Sequence, residues 1–231
     1  MSQICEWLHE RIRVLPLFSY PFDLTQLPKN GIYFFYEKGE HRGHAGQHQR
    51  IVRIGTHKDG NFRSRIAEHF LLNEKRMNFG SNQAAPHERS IFRKNIGRAL
   101  LNRDADDYLK VWELDFTSHS VRQTLSCQRD IDKEKQVEAE VTRILRENFS
   151  FRYIQIESQE QRMGRGGLES KLIGTVAGCK VCQASESWLG YYSPIAKIRN
   201  SGLWLVQHLA APSITDSDTI VIDSAIAKQT R

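Results

Sequence analysis

Tyr33 and Arg53 are the first residues whose types and spacing suggest chemistry. Tyr33 stands in an apolar, β-prone run at residues 31–36, and Arg53 stands in a second such run at residues 51–54. Two runs of this kind predict a pair of strands. A tyrosine is a poor base because its ordinary pKa is about 10, but a nearby cation or metal-bound water can bring it into range. An ordinary strand tyrosine with a satisfied hydroxyl is the alternative.

A helix predicted over residues 61–72 carries a second pair of chemically useful side chains. Arg65 and His69 are four residues apart, so they share one helix face. A guanidinium can clamp two phosphoryl oxygens, and a histidine can bind phosphate or relay a proton near neutral pH. His87 offers the same chemistry before the next helix. Arg63 competes with Arg65 for the same role, and each of these side chains can also be an ordinary surface or core residue.

Glu169 is the candidate metal ligand. It falls in the first turn of a helix predicted over residues 168–177, after a glycine-rich stretch at residues 164–167. A single carboxylate with several waters suits Mg²⁺. The ion would neutralise developing charge and supply a water that protonates the leaving group. The helix dipole alone would also stabilise an acid here. The position beside an apolar stripe, four residues before Ile173, favours the functional interpretation.

The cysteines give a weaker signal. Cys179 and Cys182 have the spacing of a zinc-binding pair. No second such pair and no matching histidine pair follows at a usual distance, so two reduced thiols after a helix are the favoured interpretation. With Cys5 and Cys127 the chain has four cysteines, which does not suggest a disulfide-dense secreted scaffold. We therefore expect a cytoplasmic protein.

Hydrophobic periodicity predicts the elements that must position these residues. Helices are predicted over residues 4–14, 61–72, 90–101, 130–148 and 168–177, and strands over residues 31–36, 51–54, 109–116 and 151–156. The connector between the first two strands is too long for a tight turn and is expected to be a mobile functional loop over residues 37–50. Residues 213–231 are weakly patterned and predict a tail or a peripheral strand. The interleaving predicts an α+β class with a small, mostly antiparallel sheet.

In this order the motifs resemble the GIY-YIG nuclease superfamily, in its restriction-endonuclease-like branch. The resemblance rests on GIY at 31–33, RIG at 53–55 in place of YIG, RIAEHF at 65–70, HERSIFRKNIGRAL at 87–100 and GLESKLIG at 167–174. The stretches WLGYYS at 188–193 and SGLW at 201–204 are similar to later elements of that branch. The resemblance implies a GIY-YIG core with helical additions. We expect an N-terminal helical extension over residues 1–28, a nuclease-like domain over 29–209 and a C-terminal tail over 210–231.

The same resemblance implies roles for individual residues. Tyr33 would be the general base toward the attacking water, and Arg65 would stabilise the pentacovalent phosphorus with help from His69 or His87. Glu169 would hold Mg²⁺ (or Mn²⁺) beside the leaving oxygen.

Two positions depart from the family pattern. Arg53 stands where the family name has tyrosine, and a cation there could favour a tyrosine phenolate or hold the scissile phosphate. Leu205 stands where related sequences carry an asparagine after Gly-Leu-Trp, with Asn200 and Gln207 as nearby substitutes.

The charge distribution points to a polyphosphate partner. The chain has a net charge of +6, and residues 41–103 hold 13 Lys and Arg against 4 Asp and Glu. Such a basic half suits nucleic acid because phosphate neutralisation releases counterions, although acidic proteins and membrane surfaces attract it too. The candidate DNA contacts are Arg42, Arg50, Lys58, Arg63, Arg89, Arg93 and Lys94. No apolar run approaches the ~18 residues of a membrane helix.

We therefore predict a metal-dependent endonuclease that acts on double-stranded DNA, of bacterial restriction or defence type. A homodimer is one expectation, since such nucleases often dimerise to cut two strands. Two alternatives stay open. The chain could be a nucleic-acid-binding protein with this fold and impaired catalysis, which Arg53 and Leu205 favour, or a branched-DNA repair nuclease.

Overall fold

One four-stranded antiparallel sheet lies at the centre of the structure, a computed structural model that describes residues 2–43 and 48–230. The strands are β1 (Phe18–Ser19), β2 (Ile32–His41), β3 (Gln49–Gly55) and β4 (Phe149–Ile154), in the spatial order β1-β4-β2-β3. Tyr33 pairs with Gly55 on one side and with Tyr153 on the other. Tyr33 therefore lies in an interior strand, and Arg53 lies in the edge strand beside it.

Eleven α-helices surround the sheet within the described ranges. They are α1 (Ser2–Arg13), α2 (Phe62–Phe70), α3 (Pro86–Arg89), α4 (Ile91–Arg103), α5 (Leu109–Trp112), α6 (His119–Leu125), α7 (Ile131–Asn148), α8 (Gln159–Arg162), α9 (Leu168–Ala177), α10 (Ala196–Ser201) and α11 (Asp216–Gln229). Short 3₁₀ turns occur at Leu24–Gln26, Glu74–Met77, Ser126–Gln128 and Leu189–Tyr192. The structure confirms the predicted α+β class.

Both faces of the sheet are covered, because successive residues of a strand point to opposite sides. Tyr33 and Phe35 of β2 face an apolar cluster that includes side chains of α2, α4 and α7. Ile32 and Phe34 face a second cluster built with α1, α9 and α11. Burial of each such aromatic side chain is worth about 1.5–3 kcal/mol. The strand that carries Tyr33 is therefore held rigidly between two cores.

The predicted helices at residues 61–72, 90–101, 130–148 and 168–177 are confirmed as α2, α4, α7 and α9, with small shifts at their ends. The sequence explains where two of them begin. Ser90 caps α4 by accepting a hydrogen bond from the amide of Arg93 at 3.3 Å. Asp130 caps α7 by accepting one from the amide of Lys133 at 2.9 Å.

The strand predicted over residues 109–116 is wrong, because residues 109–112 form the short helix α5 and turns follow it. Asp106 accepts a hydrogen bond from the amide of Tyr108 at 3.0 Å, which turns the chain just before the helix. Trp112 is buried and donates from Nε1 to the carbonyl of Lys94 in α4 at 3.1 Å. Packing of Trp112 against α4 therefore outweighs the β-prone composition of the segment.

Residues 213–230 form neither a tail without structure nor a strand, because α11 occupies most of this segment. Thr215 and Asp218 cap the helix, and the buried Ile222 and Ile226 join the core cluster that contains α1. The weak periodicity arises because α11 buries only a narrow stripe. The predicted division into extension, domain and tail stays a prediction, although both terminal helices pack on the sheet.

The strands of the hairpin are longer than expected. β2 continues to His41 and β3 begins at Gln49, so much of the loop predicted over residues 37–50 belongs to strands. Glu37 is buried and accepts hydrogen bonds from the indoles of Trp188 and Trp204 at 3.0 and 2.9 Å. These contacts explain the strand extension. Residues 44–47 lie outside the described residues, so the predicted mobility of the loop tip stays a prediction.

No helix in residues 2–43 and 48–230 combines the length and the apolar character that a transmembrane segment needs.

Candidate active site

A cavity of about 360 Å³ opens at the edge of the sheet beside β3. Each of four elements contributes one predicted catalytic side chain to its wall: Tyr33 from β2, Arg53 from β3, Arg65 from α2 and Glu169 from α9. These residues are far apart in sequence, and the fold brings them together. The cavity is therefore the candidate active site.

The glycines of the two motifs are required by close packing around Tyr33. The ring of Tyr33 lies across its strand partner Gly55, where a Cβ would collide with the tyrosine hydroxyl. A Cβ on Gly31 would lie 2.7 Å from the carbonyl oxygen of Ile154 in β4. Real Cβ atoms essentially never come this close. Larger side chains at these two positions would displace the tyrosine or the strands that hold it.

A buried hydrogen-bonded chain supports the hydroxyl of Tyr33. Its oxygen lies 3.2 Å from Nε2 of His69, and Nδ1 of His69 lies 2.7 Å from Oγ of Ser90. Oγ of Ser90 also accepts from the amide of Arg93, and no other acceptor for the serine proton occurs among the described residues. The serine then donates to Nδ1, and Nε2–H of His69 donates to the oxygen of Tyr33.

His69 is fully buried, contacts the tyrosine and does not line the cavity. Burial lowers the pKa of His69 well below 6.5, and the positive charges of Arg65 and Arg53 lower it further. The imidazole is therefore neutral near pH 7. The structure thus places His69 beside Tyr33, and its predicted role in catalysis stays a prediction.

Arg53 is buried beside the tyrosine. Its guanidinium donates to the carbonyl of Trp204 at 2.5 Å and lies 4.8 Å from the centre of the Phe92 ring. Burial lowers the pKa of Arg53 from its ordinary value, while neighbouring Tyr33 and Glu169 partly offset this effect. Arginine remains protonated in proteins, so a fixed positive charge lies next to the tyrosine oxygen. Its Nε makes no hydrogen bond within the described residues.

Arg65, and not Arg63, lines the cavity. One nitrogen of Arg65 donates to the carbonyl of Arg89 at 2.7 Å and to Glu68 at 3.3 Å, and the side chain is half-buried. Arg63 instead points to the chain before β2, where it donates to the carbonyls of Leu27 and Thr25 at 2.6 and 3.1 Å. The geometry therefore favours Arg65 for contact with a bound group.

Glu169 reaches the cavity from the first turn of α9. Its Oε1 accepts a hydrogen bond from the amide of Thr56, the residue after β3, at 3.0 Å. Burial raises the pKa of Glu169 above its ordinary value, and the hydrogen bond from Thr56 and the charges of Arg53 and Arg162 oppose this effect. Arg162 in turn holds the loop in place by donating to Thr56 and to the carbonyl of His57 at 2.9 and 2.7 Å.

The residues fit a hydrated divalent cation of the magnesium type. Oε2 of Glu169 makes no hydrogen bond to any described residue, so one carboxylate oxygen is available at the cavity. A single carboxylate with remaining space for waters is the kind of site that Mg²⁺ uses, because Mg²⁺ keeps several waters. No cluster of three or more metal-ligating side chains occurs here among the described residues.

Sequence reasoning missed Asn95. Its side chain lines the cavity, is almost fully buried, and has an amide nitrogen with no hydrogen-bond partner among the described residues. Its oxygen accepts from Arg98 at 2.7 Å, which fixes the amide orientation. Leu205 also lines the cavity, as does Gln207, whereas the exposed Asn200 does not. A buried asparagine on a helix gives no signal in sequence that distinguishes it from a surface residue.

His87 lies away from these groups. Its ring stacks on Trp112 at 3.7 Å between centres, and its Nδ1 lies 3.0 Å from Glu138. His87 is 2% exposed and does not line the cavity. The structure therefore gives it a place in the buried packing around α4.

The predicted DNA contacts divide into two groups. Arg42, Arg50, Arg93 and Lys94 are buried, and each has internal partners: Glu10, Glu40, Glu138, and the carbonyls of Glu113 and Leu114, respectively. Arg63 is half-buried, as described above. Lys58 and Arg89 are exposed. Much of the basic excess in this half of the chain therefore serves internal ion pairs, and Lys58 and Arg89 are the exposed cations of the predicted set.

Comparisons with known proteins agree with this geometry. A family model described as the GIY-YIG domain matches residues 4–229. Searches of the curated proteins and of the solved structures found no significant match. The family match spans almost the whole chain and contains the four predicted catalytic residues that line the cavity. The chain therefore belongs to the GIY-YIG superfamily, a superfamily of nucleases.

Proposed function

We propose that the chain is a Mg²⁺-dependent (or Mn²⁺-dependent) DNA endonuclease that hydrolyses phosphodiester bonds. The observation that carries this proposal is the convergence of Tyr33, Arg53, Arg65 and Glu169 on one cavity. Phosphodiester hydrolysis needs a base for water, positive charge on the phosphoryl oxygens and help for the leaving oxygen. Tyr33 would be the base, Arg53 and Arg65 would provide the positive charge, and Glu169 would hold the cation that helps the leaving oxygen.

The oxygen of Tyr33 accepts a proton from the attacking water. Nε2–H of His69 and the guanidinium of Arg53 both stabilise negative charge on that oxygen, which favours its action as a base. Because the tyrosine ring is fixed against Gly55, the oxygen is already oriented before substrate binds.

Arg65 and Arg53 stabilise the negative charge that develops on the phosphoryl oxygens. Both are planar donors with a fixed charge, which matches the geometry of a phosphate. The amide of Asn95 is a further donor at the cavity wall. These groups are anchored by protein contacts, so they require little reorganisation during the reaction.

Glu169 would hold the cation. Mg²⁺, when bound, neutralises developing charge and polarises a water that can protonate the leaving oxygen. The hydrogen bond from Thr56 keeps the carboxylate at the cavity, and Arg162 holds the loop that carries Thr56. Glu169 is thus positioned by two structural elements.

A role in restriction or defence is the more specific part of the proposal. It is supported by the similarity of residues 188–193 and 201–204 to later elements of restriction-like members of the superfamily. Site-specific cutting of double-stranded DNA would follow from this role. A repair nuclease would instead select forks or junctions.

Cleavage of supercoiled plasmid tests the proposal. We expect nicked or linear product with Mg²⁺ and none with EDTA. Glu169→Gln removes the carboxylate charge and should abolish cleavage while DNA binding persists. Glu160→Gln makes the same change at an exposed position on α8, so its activity should equal that of the wild type. DNA binding by the wild type without any nicking in Mg²⁺ or Mn²⁺ would indicate a binding protein.

The products then separate the two nuclease classes. Discrete bands from linear genomic DNA would support site-specific restriction. Cleavage confined to branched substrates would support a repair nuclease and contradict the restriction role.

A further inference from the structure

Three of the four cysteines meet in a small buried cluster away from the cavity. Cys5 lies on α1, whereas Cys179 and Cys182 lie on the loop that follows α9. The three side chains are at most 7% exposed, and none of the cysteines forms a disulfide. Residues separated by more than 170 positions are thus brought together by the fold. The partner that sequence reasoning did not find for the Cys179–Cys182 pair is the N-terminal helix.

A histidine completes the cluster. His9 follows Cys5 by one helical turn, so both side chains lie on the same face of α1. Its Nδ1 lies 3.6 Å from Sγ of Cys5. The ligand atoms of Cys5, His9 and Cys182 all lie within 4.8 Å of one another. In a tetrahedral zinc site with Zn–S distances near 2.3 Å, the sulfur atoms lie about 3.8 Å apart, so these three groups need only a small contraction. Cys179 packs in the same buried cluster as Cys5 and Cys182 and would have to move closer to His9 to complete the site.

We propose that Cys5, Cys179 and Cys182 bind one Zn²⁺ through their sulfur atoms, with Nδ1 of His9 as the fourth ligand. The argument rests on the donor set and its burial. Three thiolates and one imidazole form a set that prefers Zn²⁺ over Mg²⁺, and four protein ligands without an open position are typical of a structural site. This inference does not depend on the proposed nuclease function.

The position of the cluster gives such an ion a structural role. Cys179 lies directly after α9, and Glu169 lies in the first turn of the same helix, about 15 Å away along its axis. Val181, between the two cysteines, packs against Gly43 at the end of the β2–β3 hairpin, where a Cβ would collide with its carbonyl. An ion at the cluster would therefore join α1, the end of α9 and the segment packed on the hairpin.

His9 must change its hydrogen bonds when the ion binds. Nε2 of His9 accepts a hydrogen bond from the amide of Ile51 at 3.1 Å, and Nδ1 lies 2.8 Å from the carbonyl of Cys5. The ring proton is therefore on Nδ1 in this arrangement. Coordination through Nδ1 places the proton on Nε2, which then no longer accepts from Ile51. We expect the His9 ring to turn away from the Ile51 amide when zinc is bound.

Metal analysis of the full chain, purified under reducing conditions with added ZnSO₄, tests the proposal. We expect one zinc ion per chain by mass spectrometry of the metal content. Replacement by Co²⁺ should give the intense thiolate-to-cobalt charge-transfer and tetrahedral ligand-field absorption. Cys5→Ser, Cys179→Ser, Cys182→Ser and His9→Ala should each lose most of the zinc. Cys127→Ser changes the exposed cysteine, and this variant should keep its zinc. Glu169→Gln should keep its zinc as well.

A second measurement on the wild type avoids variants that fail to fold. The nitrogen chemical shifts of His9 should report a proton on Nδ1 without zinc and on Nε2 with zinc. Absence of zinc from the wild type, iron in its place, or a Cys179–Cys182 disulfide under reducing conditions would overturn the proposal. Zinc retained by all three cysteine variants, or an unchanged His9 tautomer with zinc bound, would overturn it as well.

Discussion

The hydroxyl oxygen of Tyr33 lies 3.2 Å from Nε2 of His69, which is itself anchored by Ser90 at the start of α4. This relationship links a strand residue to a helix cap through one buried imidazole. Arg53 approaches the same oxygen from the neighbouring strand. The tyrosine is thus surrounded by groups that stabilise a negative charge on its oxygen, which is the electrostatic requirement for a tyrosine base.

Removal of His69 should slow cleavage. His69→Ala takes away the N–H that donates to the Tyr33 oxygen, so the single-turnover rate should fall by about 10²-fold, as for loss of one preorganised donor. His69→Gln keeps an N–H donor and should lose less of the rate. DNA affinity should be nearly unchanged in both variants, because His69 is fully buried. Equal rate losses in the two variants would indicate that His69 has only a packing role.

Gly55→Ala should disrupt the site without touching a charged group. The added Cβ collides with the Tyr33 hydroxyl, so the ring must move. A displacement of about 1 Å at a catalytic group costs about 100-fold in rate. Gly80→Ala is the matched control, since a Cβ there meets nothing within 4 Å. Equal cleavage rates for the two variants would contradict the packing argument.

Arg53→Lys tests whether a planar guanidinium is needed where the family name has tyrosine. Lysine keeps the charge but cannot reproduce the forked contacts, so the cleavage rate should fall by about 10²–10³-fold, as for loss of one preorganised donor. Arg63→Lys makes the same change on the neighbouring helix, outside the cavity, and should leave the rate within about threefold of the wild type. Single-turnover rates with saturating enzyme give the comparison. An unaffected Arg53→Lys variant would assign Arg53 to packing against Phe92.

Glu37→Gln should stabilise the protein at high pH. Burial raises the pKa of Glu37 from 4.5 to about 7, against the effect of hydrogen bonds from two indoles. Between these pH values the unfolded chain has lost a proton that the native state still holds, so stability falls as pH rises. The glutamine avoids this loss while its carbonyl oxygen accepts from both indoles.

The gain should be near zero at pH 4.5 and should reach at most about 3 kcal/mol above pH 7. Urea unfolding at the two pH values measures it. Glu160→Gln at an exposed position should show no such difference. A stabilisation that does not depend on pH would contradict the assignment to Glu37 ionisation.

The sequence predicts this fold well where one apolar stripe decides the structure. α2, α4, α7 and α9 each present a periodic stripe to a core, so their positions were predictable. The strand prediction for residues 109–116 fails because the segment is β-prone in composition while Trp112 is held by α4. α11 was missed because only Ile222, Ala225 and Ile226 are buried along it. Tertiary packing determined both outcomes, and neither is visible in a local pattern.

The cavity could be predicted only where a motif marks a residue. Tyr33, Arg65 and Glu169 are each found by motif resemblance, and the structure places them together. Ser90 is recognisable as a helix cap, but its contact with His69 depends on how α2 packs on α4. Buried arginines such as Arg93 look like DNA contacts in sequence, because their acidic partner Glu138 lies 45 residues away in sequence. The zinc-binding proposal for Cys5 and His9 likewise depends on long-range packing.

The most direct test of the account is the single-turnover cleavage rate of Tyr33→Phe on double-stranded DNA in Mg²⁺. This variant removes one oxygen atom from a ring that is otherwise packed in place. The account predicts a fall of at least about 10²-fold, the lower range for loss of a general base, with unchanged DNA affinity. A Tyr33→Phe variant that cleaves at the wild-type rate would contradict the role of Tyr33 as the base.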